Sequence, residues 1–202
     1  TGVQTCALPI FNEVIDGVLD NGARLELMPN WARSAVTMFG RINGVPVGVV
    51  ANQPLVRGGI LDAKTSTKIA RFVEFCGRFS IPIITLVDVP GFLPGTLEES
   101  RGVITHGAQV LKAYASAKSP RLTVILRKAY GGAYIAMGST SLGADSAWAW
   151  SGAEIAVMGP GGAVGLLHRR ELAAAEDPDA LRGELAADYR ENVARPYVAA
   201  QA

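Results

Sequence analysis

The sequence predicts an α/β fold, and three observations carry that prediction. The runs Val47 to Ala51, Ile83 to Val89 and Leu122 to Leu126 read as buried strands, and Val47 to Ala51 is apolar on both faces, as a strand covered on two sides must be. Segments with helical period lie between them. The order strand, helix, strand, helix, strand, helix at this spacing is the pattern of right-handed crossovers. A chain of 202 residues makes one domain or at most two small ones, and no internal repeat or interdomain linker divides it.

In chain order, Thr1 to Ile10 carry no period and no capping signal. Phe11, Val14, Ile15, Val18 and Leu19 recur as one face of a helix, which Asn21-Gly22 stops. Leu25 to Leu27 reads as a short strand. Ala35 to Ile42 and Val45 to Ala51 form a hairpin, because Asn43-Gly44 is a type I′ turn signal. Ala63 to Phe79 is a helix with Ile69, Phe72, Val73 and Cys76 on its inner stripe. A Gly/Pro-rich loop from Asp88 to Gly95 follows the strand Ile83 to Val89, and Glu98-Glu99 reads as a solvated polar run. Gly102 to Ala117 is a helix that Pro120 bars from continuing. The strand Leu122 to Leu126 leads through Arg127 to Tyr134 into a helical stretch ending near Ser139. Short strands at Ala147 to Trp150 and Glu154 to Val157 flank a Ser151-Gly152 turn. Gly159 to Gly162 opens a helix, and Glu171 to Ala175 and Pro178 to Val193 are helical.

Composition excludes several function classes. Hydrophobic residues are 49% and charged residues 18%, with a mean hydropathy of +0.24, which excludes a disordered chain. Lys and Arg number 19 against 18 Asp and Glu, so the net charge of +1 leaves no electrostatic footprint for nucleic acid or anionic lipid. No run reaches the ~18 apolar residues of a membrane helix. Cys6 and Cys76 stand alone, so neither a disulfide framework nor a CxxC zinc ribbon is encoded. No secretory signal is visible, and a cytoplasmic setting is the expectation.

The strongest candidate site is Tyr130-Gly131-Gly132-Ala133-Tyr134, where a buried strand ends in glycines and a helix begins at once. The first N–H groups of a helix lack intrahelical partners and lie at the positive end of its dipole. Two such donors aimed at one point make an oxyanion hole, worth roughly 3–4 kcal/mol per donor in a dry site. The alternative is that the glycines only permit close helix–strand packing. Arg127-Lys128 reads as a solvated strand end, or else as an anion contact at the pocket mouth. Asp88, at a strand end, faces a ligand or caps the Pro-Gly turn. Gly159-Pro160-Gly161-Gly162 is no P-loop, since no Gly-Lys-Ser/Thr follows, and reads as a packing turn or a second ligand wall. His106 and His168 have no partner at metal-ligand spacing, so no metal site is expected. No Gly-x-Ser-x-Gly elbow and no paired carboxylate stands out. Backbone donors without a side-chain base suggest the stabilising of an anion whose proton goes elsewhere.

At these residues the chain resembles a known family. Asp88 to Gly95, His106-Gly107-Ala108 and Arg127 to Tyr134 are similar to the carboxyltransferase β subunits of biotin-dependent acyl-CoA carboxylases, those of the propionyl-CoA carboxylase type above all. Val50 to Pro54, Leu142 to Asp145 and Ala156 to Gly159 agree. The similarity runs from about Phe11 to Ala200 in family order. It implies a crotonase-like ββα superhelix (the ClpP/crotonase fold), with residues 11–202 forming the C-terminal of two related carboxyltransferase domains, cut at its own C-terminus. Residues 1–10 do not match and are expected to be foreign to the fold. The resemblance implies carboxyl transfer from carboxybiotin to a short-chain acyl-CoA such as propionyl-CoA or acetyl-CoA. It implies Gly132 and Ala133 as the catalytic hole for the biotin ureido oxygen, with Gly131, Tyr134 and Ile135 lining the substrate. Biotin would arrive on the carrier of a biotin carboxylase α subunit, the acyl thioester would be held by the N-terminal domain of a partner β subunit, and the assembly would be a homo-oligomer. Rival readings are a decarboxylase subunit of the same family, a crotonase-type hydratase, and a fragment without activity. A hydratase needs carboxylates over the hole, and none is found. Ile135 stands where the family usually carries Asp, which implies an apolar acyl wall accepting more than one short chain; its bland role would be packing the helix on the sheet.

Overall fold

The computed structural model describes residues 14–20 and 24–201. The expectations for Thr1 to Ile10, Phe11 and the Asn21-Gly22 stop lie outside the described residues. Residues 14–18 are helical and set the buried Ile15 against the sheet.

A seven-stranded mixed sheet organises the chain: β1 (Leu25–Glu26), β2 (Ala35–Ile42), β3 (Val45–Asn52), β4 (Ile83–Val89), β5 (Arg121–Tyr130), β6 (Ser146–Ala149) and β7 (Glu154–Ala156). The first six pair in sequence order, and β7 pairs with β5. The β2–β3 hairpin is antiparallel and pairs Ile42 with Val45, so Asn43 and Gly44 form the expected turn, with φ of 49° and 80°. From β3 onward the pairings are parallel.

Crossover helices cover the sheet. α1 (Ala63–Arg78) is capped by Asp62, whose carboxylate accepts from the Thr65 N–H at 2.8 Å. Its stripe of Ile69, Phe72, Val73 and Cys76 is buried as expected. A short α2 (Thr96–Ser100) corrects the loop reading of this segment: Glu98 is buried rather than solvated, and pairs with Arg101 at 2.7 Å. α3 (Val103–Ser116) packs on α1 and shares its core. The other face of the sheet carries Ile15, Leu19, Val36, Val49, Ala51 and Leu86. α4 (Gly131–Ala136) follows β5 directly, and α5 (Pro160–Leu167), α6 (Arg169–Ala174), α7 (Pro178–Tyr189) and α8 (Pro196–Ala199) complete the chain. α5, α6 and α7 make a small core of their own around Val164, Leu172 and Ala186. α7 ends in a π-helical turn, Arg190–Ala194, inside the stretch expected to be one regular helix to Val193. No described helix is long and apolar enough to cross a membrane.

Lys68 shows how a buried charge is accommodated. Its ammonium donates to the carbonyls of Met28, Trp31 and Ala35 at 3.0, 3.0 and 2.9 Å, tying the 28–35 loop to α1. Desolvation still lowers its pKa.

Burial also pushes the Cys76 thiol up to about 12, so the folded state holds its proton while the unfolded chain releases it above pH ~9. This contribution is intact below pH ~9 and is lost as pH rises toward 12. Denaturant unfolding at pH 8.5 and 10 will show lower stability at the higher pH. In Cys76→Ala the drop will be smaller; an equal drop would assign it to other groups.

Candidate functional site

The candidate turn is built by an interruption in the β4–β5 ladder. Regular pairing runs from Ile83–Arg121 to Val87–Ile125 and resumes only at Val89–Ala129. Leu126, Arg127 and Lys128 therefore bulge opposite Asp88. The Asp88 carboxylate fills the gap. It accepts from Arg127 Nε at 3.2 and 3.0 Å, pairs with the Arg127 terminal nitrogen at 2.9 Å, and accepts from the Lys128 N–H at 3.3 Å. Asp88 is buried, and its own N–H donates to Asn52 Oδ1 at 3.1 Å. Asn52, also buried, donates its amide to the Gly59 carbonyl at 3.2 Å. One network thus joins the carboxyl ends of β3, β4 and β5. Two expectations are corrected here. Arg127 is no solvated strand end but the partner of Asp88, and Asp88 neither caps the Pro-Gly turn nor stands free for a ligand. β5 also runs on to Tyr130, past the expected end at Leu126, because the bulge lets it change partner from β6 to β7.

Beyond the bulge the strand delivers Tyr130 and the glycines. Tyr130 is buried and its hydroxyl donates to the Glu154 carboxylate. Burial, reinforced by that bond, raises its pKa. Gly131 has φ of 58°, and a Cβ there would stand 2.8 Å from the Val157 carbonyl. A Cβ on Gly159 would stand 3.0 Å from the Tyr130 ring. The two glycine loops therefore abut, and Gly159 is present for packing. Gly132 differs, since a Cβ there meets nothing within 4 Å. Ala133 is buried, while Gly132 is exposed. Among the described residues, no acceptor outside α4 takes the N–H of Gly132 or Ala133. The turn thus leaves two N–H groups, adjacent in sequence, without an acceptor outside α4, and backbone donors of this kind can hold one anionic oxygen.

Tyr134 is half-buried and its pKa is raised by burial. It lines a cleft of about 560 Å³ with Ile125, Trp148, Ile155 and Tyr197, of a size that suits a small molecule. Ile135 is 43% exposed, and Ala133, Ala136 and Met137 seat the helix instead, so Ile135 does not serve the core. His106 sits in α3 with Nδ1 3.1 Å from Thr67 Oγ1. Sequence reading missed the Asp88–Arg127 pair and the Tyr130–Glu154 bond. Only the charge and aromatic types at strand ends signalled them.

The comparisons with known proteins agree with one another. A family model described as carboxyl transferase domain matches residues 11–202. The propionyl-CoA carboxylase carboxyltransferase subunit of Haloferax mediterranei is 56% identical over 189 residues, 94% of this chain and 37% of that protein. The methylmalonyl-CoA decarboxylase subunit alpha of Propionigenium modestum is 49% identical over 189 residues, 94% of this chain and 37% of that protein. Among solved structures, the transcarboxylase 12S hexamer crystallised with methylmalonyl-coenzyme A and methylmalonic acid aligns with a TM-score of 0.87 at 52% identity, covering 94% of this chain and 36% of that one. The chain therefore spans a little over a third of the length of these relatives, and its fold is the crotonase-like one of such domains.

Gly131 and Gly132 separate by role in a stability test. Gly131→Ala forces a side chain into φ of 58° against the Val157 carbonyl and will cost more than ~1 kcal/mol. Gly132→Ala will change unfolding free energy by less than ~0.5 kcal/mol. Equal costs would show that both glycines serve packing alone.

Proposed function

The chain belongs to the carboxyl transferase domain family, and on that premise we propose that it forms the biotin-side half of an acyl-CoA carboxyltransferase. The observation that carries the reading is the Gly132–Ala133 pair of N–H groups, which no acceptor outside α4 takes among the described residues, at a glycine whose Cβ position is open. The site offers backbone donors, and two carboxylates beside it, the buried Asp88 and the half-buried Glu154, are committed to Arg127 and to Tyr130 and Arg190. Such a site suits an oxygen that becomes anionic while its proton moves elsewhere.

The ureido oxygen of biotin fits this donor set, being a single carbonyl oxygen that gains charge as its ring nitrogen is freed. Carboxybiotin, when bound, supplies the CO2 and then the nitrogen base that takes the acyl α-proton. The residues of this chain hold and orient. Gly132 and Ala133 donate to the oxygen, Gly131 lets the backbone turn toward it, and Tyr134 and Ile135 face the acyl group. The acyl thioester is held by the related domain of a partner subunit, and biotin arrives on a carrier protein in a homo-oligomeric assembly of the cytoplasm. Exposed apolar residues such as Ile135, Val157, Leu166 and Leu167 are of the kind a partner covers. With half of the site supplied elsewhere, the isolated chain carries no measurable transfer activity.

The methylmalonyl-CoA decarboxylase relative supports a second reading, in which the same hole would serve carboxyl removal from an acyl-CoA. Activity of the complete subunit in the two directions separates the readings.

Two substitutions in a complete subunit test the proposal. Gly132→Pro deletes one donor in the first turn of α4, where the N–H has no intrahelical partner to lose. Relative to Gly132→Ala, kcat for biotin-dependent transfer will fall by about 10²–10³-fold; an unchanged kcat in a folded variant would remove the hole from the mechanism. Ile135→Asp replaces an apolar wall that discriminates by only about 1–3 kcal/mol per methylene. The ratios of kcat/KM among acetyl-, propionyl- and butyryl-CoA will shift, and constant ratios would show that Ile135 does not meet the acyl group.

A further inference from the structure

The other side of the glycine turn is held by a chain of polar contacts that ends far along the sequence. The Tyr130 hydroxyl donates to Glu154 Oε2, and Glu154 Oε1 lies 3.4 Å from Arg190 Nε. Arg190 opens the π-helical turn that ends α7. Such turns are rare and often sit where a group must be aimed. The residue before it, Tyr189, donates to the Met158 carbonyl at 3.4 Å, one residue from the Val157 carbonyl that a Cβ on Gly131 would meet. The two contacts bring the end of α7 onto both halves of the turn's support, Tyr130 and the 157–159 loop. α5, α6 and α7 otherwise pack around their own small core.

We propose that Arg190, acting through Glu154 and the Tyr130 hydroxyl, is a positioning residue for the Gly131–Gly132 turn, so that the seating of the C-terminal helices sets the direction of the Gly132 and Ala133 N–H groups. The proposal deepens the reading of that turn as an anion hole and rests on it. Arg190 touches neither glycine. It neutralises and orients Glu154, and Glu154 fixes the ring of the residue that enters the turn. The ring packs against Gly159, where a Cβ would stand 3.0 Å from it. Arg190 is 54% exposed, so replacing it removes the contact without opening the core.

Amide NMR of the full chain, labelled with ¹⁵N, tests this without any carboxyl-transfer assay. Arg190→Gln will shift the Gly132 and Ala133 amide resonances in the same direction as Tyr130→Phe and Glu154→Gln. The double variant Tyr130→Phe/Arg190→Gln will shift them no further than Tyr130→Phe alone, and Arg190→Lys, which keeps the charge, will return them toward the wild-type positions. If Tyr130→Phe fails to fold, Glu154→Gln takes its place in the double variant. The proposal is overturned if Arg190→Gln lowers the melting temperature yet leaves both amides where they were, or if its shifts add to those of the partner variant. Failure here leaves the hole itself untouched, whereas failure of the Gly132→Pro test removes the hole that the relay would aim, while the amide shifts still report whether Arg190 positions the turn.

Discussion

The site depends on a buried carboxylate standing where a ladder hydrogen bond is missing. At the β4–β5 bulge three residues of β5 face one of β4. The Lys128 N–H would be left without a ladder partner, and a buried amide without an acceptor costs about 1–3 kcal/mol. Asp88 answers with one oxygen on that N–H and both on Arg127. A charge so buried requires a partner, and Arg127 supplies it with a fork suited to a carboxylate. The bulge then does what a regular ladder could not. It turns β5 off β6 and onto β7, and sends Tyr130 and the glycines out at the carboxyl edge of the sheet. Open α/β sheets bind their ligands at that edge.

From this constraint the remaining features follow as supports on two sides. Asn52 and Gly59 carry the clamp toward β3, where a Cβ on Gly59 would come within 2.7 Å of the Asp88 carbonyl. Glu154 and Arg190 hold Tyr130 from the side of β7 and the C-terminal helices. Between the two, Gly131 takes a left-handed φ that most side chains adopt only at a cost. A rigid turn flanked by committed side chains suits preorganised donors, because donors already oriented need no rearrangement when charge develops. The same commitment makes Asp88 and Glu154 unsuited to act as free bases.

Much of the fold was legible because its signals are local. The Asn43-Gly44 turn, the stripe of α1 and the two-sided burial of β3 and β4 follow from period and turn chemistry, and the structure reproduces them. The glycine turn was legible as a place where backbone donors could gather. The clamp was not, because Asp88 and Arg127 are 39 residues apart and only the sheet register makes them neighbours. Read singly, Arg127 is indistinguishable from a solvated strand end. Glu98 was misread for a similar reason: a Glu-Glu pair in a Gly/Pro-rich region looks solvated, and its partner Arg101 becomes visible only once the chain coils through α2. The π turn at Arg190 carries no composition signal, since its residues would also suit an ordinary helix.

Asp88 and Arg127 act as one unit at the bulge. A double-mutant cycle of Asp88→Ala and Arg127→Ala, followed by denaturant unfolding, measures that directly. The coupling will be about 1–3 kcal/mol, with the double variant less destabilised than the two single costs together. Costs that add to within about 0.5 kcal/mol would contradict it, and would leave the bulge held by the backbone alone.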